Sequence, residues 1–201
     1  MKLFKKAAAV KLTSIVIISL ICCWALGSTK LTAQRIKDAE SLAPFVPTPM
    51  EVVEKMLELA EVKKTDMVYD LGCGDGRIVV TAAEKYGARG VGVDYNMERV
   101  NEARELAKEK KVENLVKIIY QDVMKVDFSE ATVVTLYLLE SSNILLQPNL
   151  EKYLKPGSRV VSHDFDMPGW TAKKVVTVSS NEWYESTIYL WIIGEHKPEK
   201  K

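Results

Sequence analysis

The sequence predicts an α/β fold with a doubly wound, Rossmann-like sheet that is mostly parallel and has an antiparallel last strand. Three observations support this prediction. Apolar runs of strand length alternate with amphipathic segments of helical period, a glycine-rich turn joins the first strand to its helix, and the last two strands follow each other as a hairpin. An apolar helix is expected before this fold, within residues 1–30.

The amino-terminal stretch differs from the rest of the chain in charge and hydropathy. Residues 1–37 hold seven basic residues and no acidic one, and residues 12–29 carry no charge. Such a run is at the short end for a membrane span, so residues 1–30 are predicted to be a membrane anchor, with a cleaved signal segment as the alternative. The rest of the chain divides into a linker, a folded domain and a charged tail, at residues 31–44, 45–194 and 195–201.

Net charge argues against a nucleic-acid partner. After residue 37 the chain has 21 basic and 27 acidic residues. Enzymes that act on nucleic acids usually present a basic face to the phosphate backbone. We therefore predict no nucleic-acid partner, and the sequence predicts no metal site either.

Strands and helices are expected in alternation. The first strand runs from Val68 to Asp70, and a helix with Thr48 as its N-cap precedes it. This first helix has two alternative roles, because it can cover the core or close over a ligand as a lid. Further helices are expected at residues 78–86, 97–110 and 143–153. The next four strands, including the exits of the last two, and then the hairpin are expected at residues 89–94, 115–120, 131–139, 158–165, 175–178 and 187–193.

The glycine-rich turn after Asp70 predicts a ligand site. Glycines at positions 72, 74 and 76 lack a Cβ, so the backbone there can adopt positive φ and approach a ligand closely. The helix behind the turn presents unpaired N–H groups. Asp70 and Asp75 bracket the turn and make a poor cradle for a diphosphate, because like charges repel at short range. They suit a ligand that carries an ammonium or sulfonium cation.

The segment Asp70–Gly76, which reads DLGCGDG, resembles motif I of the class I S-adenosylmethionine (SAM)-dependent methyltransferases. The resemblance implies that SAM is the cofactor and that the parallel sheet ends in an antiparallel pair. Thr48 joins the candidate cofactor-binding residues because it begins the helix that can act as a lid. The turn contributes five more candidates, namely Asp70, Gly72, Cys73, Gly74 and Asp75.

Aspartates end three successive predicted strands, at positions 70, 94 and 122. Because the carboxyl ends of neighbouring parallel strands meet at one edge of a sheet, we expect these three side chains to surround the same ligand. Asp94 would accept hydrogen bonds from both ribose hydroxyls, and Asp122 would accept one from the exocyclic amine of adenine. Tyr95 and Val123 would pack against the adenine ring.

Four segments together resemble one methyltransferase subfamily. They lie at residues 45–49 (FVPTP), 70–77, 135–139 (TLYLL) and 162–165 (SHDF). The subfamily comprises lysine methyltransferases that include the mitochondrial enzymes acting on subunit c of ATP synthase and on the adenine nucleotide translocase, with many prokaryotic relatives. The resemblance implies methylation of a protein lysine, and the apolar amino-terminal segment of these relatives fits a membrane-embedded acceptor. The [DN]-P-P-[YFW] sequence of amino-methylating DNA, glutamine and adenine enzymes is absent after the fourth strand.

The cosubstrate bears on localisation. SAM is made and kept inside cells, so the catalytic domain is expected on the cytoplasmic side of a membrane to which residues 1–30 attach it. Export after signal cleavage is the alternative. The three cysteines, Cys22, Cys23 and Cys73, form no visible disulfide framework, which favours the first arrangement.

Four residues at the ends of the fourth and fifth strands are candidates for the acceptor side, namely Tyr137, Glu140, His163 and Asp164. The reaction is an in-line displacement at the sulfonium methyl, which depends on alignment more than on a strong acid or base. Tyr137 can orient an amine, and His163 can take a proton. Glu140 and Asp164 can attract a cationic lysine. Each residue also has a structural alternative, packing for the two rings and helix capping for the two carboxylates.

Two other functions stay open on the sequence alone. One is a small-molecule methyltransferase that acts on a lipid or a quinone near the membrane. The other is a SAM-binding module without turnover. The acids at all three strand ends count against this second alternative, because a module without turnover does not need them.

Overall fold

The computed structural model describes residues 43–181 and 184–197 of the chain. The predicted apolar helix, the anchor at residues 1–30 and most of the predicted linker lie outside the described residues. The described part covers nearly all of the predicted folded domain. No helix in it is long and apolar enough to cross a membrane.

Four α-helices and seven β-strands make up the described part of the chain. The helices are α1 (Met50–Leu59), α2 (Arg77–Tyr86), α3 (Met97–Glu109) and α4 (Glu140–Tyr153). The strands are β1 (Met67–Leu71), β2 (Arg89–Asp94), β3 (Val116–Tyr120), β4 (Val133–Leu136), β5 (Arg159–His163), β6 (Lys174–Asn181) and β7 (Tyr184–Ile192). A short 3-10 helix, Val123–Lys125, follows β3.

The strands form one sheet in the order β3-β2-β1-β4-β5-β7-β6. Strands β1 to β5 pair in parallel, and β7 runs antiparallel to both β5 and β6. The predicted doubly wound sheet with an antiparallel pair is therefore confirmed. Between β1 and β4 the order of strand addition reverses, and ligands of such sheets bind beside the carboxyl ends of the strands at this point.

Helices cover both faces of the sheet. On one face, α1 and α2 share an apolar cluster with Val68 of β1 and Val133 of β4, and α3 shares one with Ile118 of β3. On the other face, Leu146 of α4 lies in a cluster with Leu136 of β4. Because both faces are buried, the central strands are apolar along most of their length, and a polar residue inside them needs a specific explanation.

The structure corrects the predicted start of α1. Thr48 is not the N-cap; Pro49 holds that position and makes no side-chain cap hydrogen bond. The Thr48 hydroxyl lies 3.3 Å from Nδ1 of His163 instead. A long-range partner has therefore displaced the local hydrogen bond that the sequence signal implied.

The exit from β4 also differs from the prediction. The strand ends at Leu136, and α4 begins at Glu140, three residues before the predicted start at Asn143. The N-cap of α4 is Leu139, an apolar residue with extended backbone and no side-chain cap, so the usual sequence signal of a helix start is missing. Pro148 lies inside α4 without ending it.

Gly90 of β2 lies under α2, and a Cβ at this glycine would be 2.2 Å from Cγ2 of Val79. We expect Gly90→Ala to lower the free energy of unfolding by about 1–3 kcal/mol, because the sheet and the helix would have to separate. Denaturant titration measures the change. Gly157→Ala is the control, since Gly157 has a φ of +87° and no atom within 4 Å of the added Cβ, so that only backbone strain is introduced. A smaller loss at Gly90 than at Gly157 would contradict close packing of α2 on β2.

Candidate active site

The glycine-rich turn is held against the end of β2. The backbone N–H groups of Gly72 and Cys73 both donate to the carbonyl of Val93, at 2.9 Å. The N–H of Gly74 donates to Oδ2 of Asp94, also at 2.9 Å. All three glycines of the turn have positive φ, as the sequence predicted. The turn therefore joins the carboxyl ends of β1 and β2 into one site.

Protein side chains fill the space beside two of these glycines. A Cβ on Gly72 would lie 2.9 Å from Cδ2 of Leu138, and one on Gly74 would lie 2.5 Å from the ring of Phe45. The guanidinium of Arg99 lies over the Phe45 ring in a cation–π contact, with its Cζ 4.5 Å from the ring centroid. Because Gly72 and Gly74 lack side chains, Leu138 and Phe45 can pack directly against the turn, and Phe45 covers one side of it. Sequence reasoning did not identify this cover.

Cys73 contributes its backbone rather than its thiol. The side chain is buried, and a Cβ on Gly92 would lie 2.9 Å from its Sγ. Burial raises the pKa of the thiol well above its usual value, and the charges of Asp70 and Asp94 raise it further. The thiol therefore stays protonated and packs against β2.

Asp70 is a buried carboxylate at the end of β1. Its residue surface is 2% exposed, and Oδ1 accepts a hydrogen bond from Oγ1 of Thr135 at 2.8 Å. Oδ2 is also buried, and none of the residues that the structure describes donates a hydrogen bond to it. Burial raises the pKa of Asp70 to about 7; the hydrogen bond from Thr135 opposes this rise, and the charges of Asp75 and Asp94 add to it. An unsatisfied buried oxygen is unfavourable, so this position suits a cation or a hydrogen-bond donor.

Asp94 lies in the same cluster of charges. Its Oδ1 accepts from the backbone N–H of Asn96 at 2.8 Å, and its Oδ2 accepts from Gly74. Burial raises the pKa of Asp94, and its backbone hydrogen bonds oppose that rise. Because each carboxylate oxygen can accept a second hydrogen bond, Asp94 keeps capacity for the two ribose hydroxyls of the prediction.

Asp75 is paired with its neighbour. Arg77 donates to Asp75 through Nε at 3.0 Å and through Nη2 at 2.5 Å. The same guanidinium donates through Nη1 to the backbone carbonyl of Thr48 at 2.8 Å. Arg77 therefore reduces the negative charge that Asp75 adds to the site and ties the turn to the segment before α1. The sequence shows Arg77 beside Asp75 but gives no signal of the Thr48 contact.

The third strand-end aspartate makes local contacts. Oδ1 of Asp122 accepts from the backbone N–H of Met124 at 2.9 Å, and Oδ2 lies 2.9 Å from Nζ of Lys125. The N–H of Gln121 donates to the carbonyl of Asp94 at 2.9 Å, which keeps the end of β3 beside the end of β2. Asp122 is therefore at the predicted edge, while its bond to adenine stays a prediction.

The two residues predicted to contact adenine differ in exposure. Val123 is buried in a cluster that includes Leu71 and Val93. Tyr95 is half-buried in the connection between β2 and α3. Val123 therefore packs in the core of the protein. Tyr95 keeps exposed surface that a ligand could contact.

The acceptor-side candidates fall at the ends of β4 and β5. Tyr137, just after β4, is half-buried, and its ring centroid lies 3.8 Å from that of His163 at an interplanar angle of 32°. Asp164 has a φ of +60° and accepts a hydrogen bond from the N–H of Thr187 through Oδ1 at 2.8 Å. Glu140 is exposed at the first position of α4.

His163 is enclosed by polar partners. It has no exposed surface, its Nε2 lies 2.9 Å from Oγ of Ser186, and its Nδ1 faces the Thr48 hydroxyl. Burial lowers the pKa of His163, against the opposing charge of Asp164. Both nitrogens are therefore engaged and the ring has no exposed surface, while the predicted role of His163 in taking a proton stays a prediction. Sequence reasoning missed Ser186, for which no motif exists.

Known proteins resemble this chain over most of the described part. The family model described as the ANTKMT methyltransferase domain matches residues 70–174. A protein-lysine N-methyltransferase of Saccharolobus islandicus (strain REY15A) is 50% identical over 155 residues, which are 77% of this chain and 96% of that protein. The chain belongs to the ANTKMT methyltransferase family.

Two further relatives of this methyltransferase differ in length and in name. A human lysine N-methyltransferase named for the C subunit of ATP synthase is 33% identical over 132 residues, which are 66% of this chain but 56% of that protein, so the chain spans just over half of it. The crystal structure of an RNA methyltransferase from Salinibacter ruber in complex with S-adenosyl-L-homocysteine is 52% identical, with a TM-score of 0.72. It covers 77% of this chain and 98% of its own.

SAM is the cofactor of this methyltransferase, and the residues present fit it. SAM carries an ammonium and a sulfonium cation, and the unpartnered Oδ2 of Asp70 lies in a cluster of carboxylates suited to a cation. SAM supplies a methyl group activated by positively charged sulfur. The protein's part is to hold and orient it with Asp70, Asp94 and the backbone of the turn, which we keep as predicted contacts. Family membership and cofactor thus agree with the sequence prediction.

Asp94→Ala is expected to weaken SAM binding by about 1–3 kcal/mol, through loss of the charge-assisted hydrogen bonds to the ribose. Isothermal titration with SAM measures the affinity. Asp127→Ala is the matched control, because it removes a carboxylate that accepts from the N–H of Ser129 at 2.9 Å in an exposed loop. Equal affinity in wild type and a folded Asp94→Ala variant would place the ribose elsewhere.

Asp70→Asn is expected to stabilise the empty protein while weakening SAM binding. The folded pKa of about 7 lies above the ordinary value of 3.8, so the folded state binds more protons than the unfolded state between these values and stability falls as pH rises through this range. Above pH 7 the amide should add about 1–3 kcal/mol by removing an unpaired buried charge. Denaturant titration at several pH values in this range measures the free energy of unfolding. It should show the higher stability of the variant and a weaker dependence of stability on pH.

Asp66→Asn provides the contrast for that experiment. Asp66 is also buried, but its Oδ1 accepts from both Arg159 and Thr132, so the pKa of Asp66 is lowered in spite of burial. The same substitution should therefore destabilise the protein at neutral pH. A destabilising effect of similar size at both positions would show that Asp70 is not an unpaired charge.

Proposed function

We propose that this methyltransferase transfers methyl groups to the Nζ atom of a lysine in a membrane-embedded protein. The observation that carries the lysine assignment is the end of β4 and β5, where the half-buried ring of Tyr137 stacks on His163 and the carboxylate of Asp164 lies 3.4 Å from that imidazole. An aromatic ring beside a carboxylate attracts an amine by cation–π and charge interactions. Relatives named as lysine methyltransferases support the same acceptor.

Exposed apolar side chains support a membrane-embedded acceptor. Leu139, Ile144 and Leu145 are 40%, 45% and 56% exposed where β4 leads into α4, directly after Tyr137. Apolar surface at a binding edge marks contact with an apolar partner. The relatives named for an ATP synthase protein and for the adenine nucleotide translocase, together with the uncharged residues 12–29, point to the same setting. In this proposal residues 1–30 attach the enzyme to the membrane and the catalytic domain faces the cytoplasm.

The proton of the acceptor leaves to solvent in this proposal. A lysine has an ordinary pKa near 10.4 and attacks only as the neutral amine. His163 is buried with both nitrogens engaged, and Asp164 has one oxygen bonded to the backbone of Thr187. Tyr137 and the carboxylates therefore collect and orient the amine, and alignment with the methyl group provides the main rate gain.

RNA is the second candidate acceptor, because the 52% identical Salinibacter ruber structure is titled an RNA methyltransferase. The charge distribution favours a protein. Beyond residue 37 acidic residues outnumber basic ones by 27 to 21, and the described site is acidic. A phosphate backbone would be repelled there, whereas a lysine would be attracted.

Transfer from methyl-labelled SAM to a membrane fraction of the source cells tests the acceptor class. We expect label that protease releases, that nuclease and organic solvent do not, and that acid hydrolysis recovers as methylated lysine. A fraction incubated with Asp94→Ala enzyme is the background control, because its cofactor site is impaired. Recovery of the label in nucleotides would establish the RNA candidate, and recovery in the organic phase would establish a lipid or quinone acceptor. Either result, or lysine label confined to soluble proteins, contradicts the corresponding part of the proposal.

A further inference from the structure

His163 connects four separate segments at the acceptor side. It ends β5, its Nδ1 lies 3.3 Å from the hydroxyl of Thr48 before α1, and its Nε2 lies 2.9 Å from Oγ of Ser186 in β7. Its ring stacks on Tyr137 after β4, with a centroid separation of 3.8 Å. No other described ring stack joins the ends of β4 and β5 at so short a distance.

The two hydroxyls hold the imidazole in one plane. A neutral imidazole has one N–H donor and one acceptor nitrogen, and a hydroxyl can serve either, so Thr48 and Ser186 together satisfy the ring in either tautomer. The side chain has no exposed surface, so it has little room to rotate. Two hydroxyl contacts that do not require a charge therefore set the plane of the ring, and Oδ2 of Asp164 lies 3.4 Å from Nε2 beside them.

A continuous set of contacts leads from this ring to the cofactor turn. The backbone carbonyl of Thr48 accepts from Arg77 at 2.8 Å, and Arg77 pairs with Asp75 of the turn. Thr48 thus contacts His163 through its side chain and the turn through its backbone.

We propose that His163 is a positioning residue, whose imidazole sets the plane of the Tyr137 ring against the incoming acceptor and links that ring through Thr48 and Arg77 to the cofactor turn. The inference rests on the proposed function in one respect, namely that Tyr137 touches the acceptor. It assigns to His163 no proton transfer and no contact with SAM or lysine. In this proposal His163 is fully buried and hydrogen-bonded because its function is to hold the Tyr137 ring in a fixed orientation.

His163→Gln tests the proposal, because it retains polar groups for the hydroxyls and removes the ring under Tyr137. An aromatic pair is worth about 0.5–1.5 kcal/mol, so the acceptor kcat/KM should fall about 2- to 12-fold, with the SAM Kd changed less than about 2-fold. The substitution is also made in a Tyr137→Ala background. There the further loss should vanish, because the ring to be positioned is absent.

The double-mutant cycle distinguishes positioning from a merely structural role. If His163 only stabilises the fold, His163→Gln lowers the melting temperature and reduces activity equally with and without Tyr137, and the proposal is overturned. An unchanged acceptor kcat/KM in a folded His163→Gln variant overturns it as well. His163→Phe, which restores a ring, should recover part of the lost kcat/KM, and no recovery in a folded variant counts against the stack.

Ser186→Ala provides the test if the glutamine variant does not fold. It keeps both rings and removes only the hydroxyl at Nε2, so a smaller loss of acceptor kcat/KM is expected with Tyr137 present and none in the Tyr137→Ala background. Equal losses in both backgrounds would overturn the proposal. All variants are assayed with the acceptor that the wild-type enzyme labels, so a non-lysine acceptor refutes the proposed function while the cycle still reports on His163.

Discussion

A buried carboxylate with one unpartnered oxygen is the constraint on which the rest of this site depends. Asp70 lies in the middle of the sheet, next to β2 and β4, and among the described residues only Thr135 donates a hydrogen bond to its side chain. Such a group lowers the stability of the empty protein. The charges of Asp75 and Asp94 raise the pKa of Asp70 further, so a positively charged ligand beside Asp70 would stabilise its ionised form. The site therefore stores a free-energy difference that a positively charged cofactor can release.

The topology of the sheet determines which residues share that constraint. Asp70 pairs in register with Gly92 of β2 and with Thr135 of β4, so all three lie on the face that α1, α2 and α3 cover. Gly92 leaves room for the thiol of Cys73, which lets the turn fold back onto β2. The cofactor side and the acceptor side are then successive strand ends along one edge, from β2 through β1 and β4 to β5.

Local features of the sequence predicted much of this arrangement. The alternation of apolar runs indicated the seven strands within a few residues, and the spacing from Asp70 to Asp94 indicated two strand ends that do interact, because neighbouring parallel strands impose that proximity. The contacts that the sequence did not predict are long-range. The sequence predicts Thr48 as a helix N-cap because an N-cap is recognised from the few residues that follow it. Its actual side-chain partner, His163, is 115 positions away.

Family resemblance and structure contributed different kinds of information. Motif I identified the cofactor, since the glycines and the two acids stand together in one short segment, Asp70–Gly76. It said nothing about Phe45 covering Gly74, about Arg77 bridging to Thr48, or about His163 being sealed by two hydroxyls. These are properties of side-chain packing between distant segments, and no pattern in the sequence encodes them.

The position of Ser186 in β7 has a consequence for the way this protein is made. A polypeptide leaves the ribosome from its amino terminus, so Thr48 and the glycine turn emerge long before the strand that seals His163. Until β7 pairs with β5, the histidine lacks its Nε2 partner and the acceptor edge is incomplete. The contact that completes the surroundings of His163 therefore depends on one of the last strands to be synthesised.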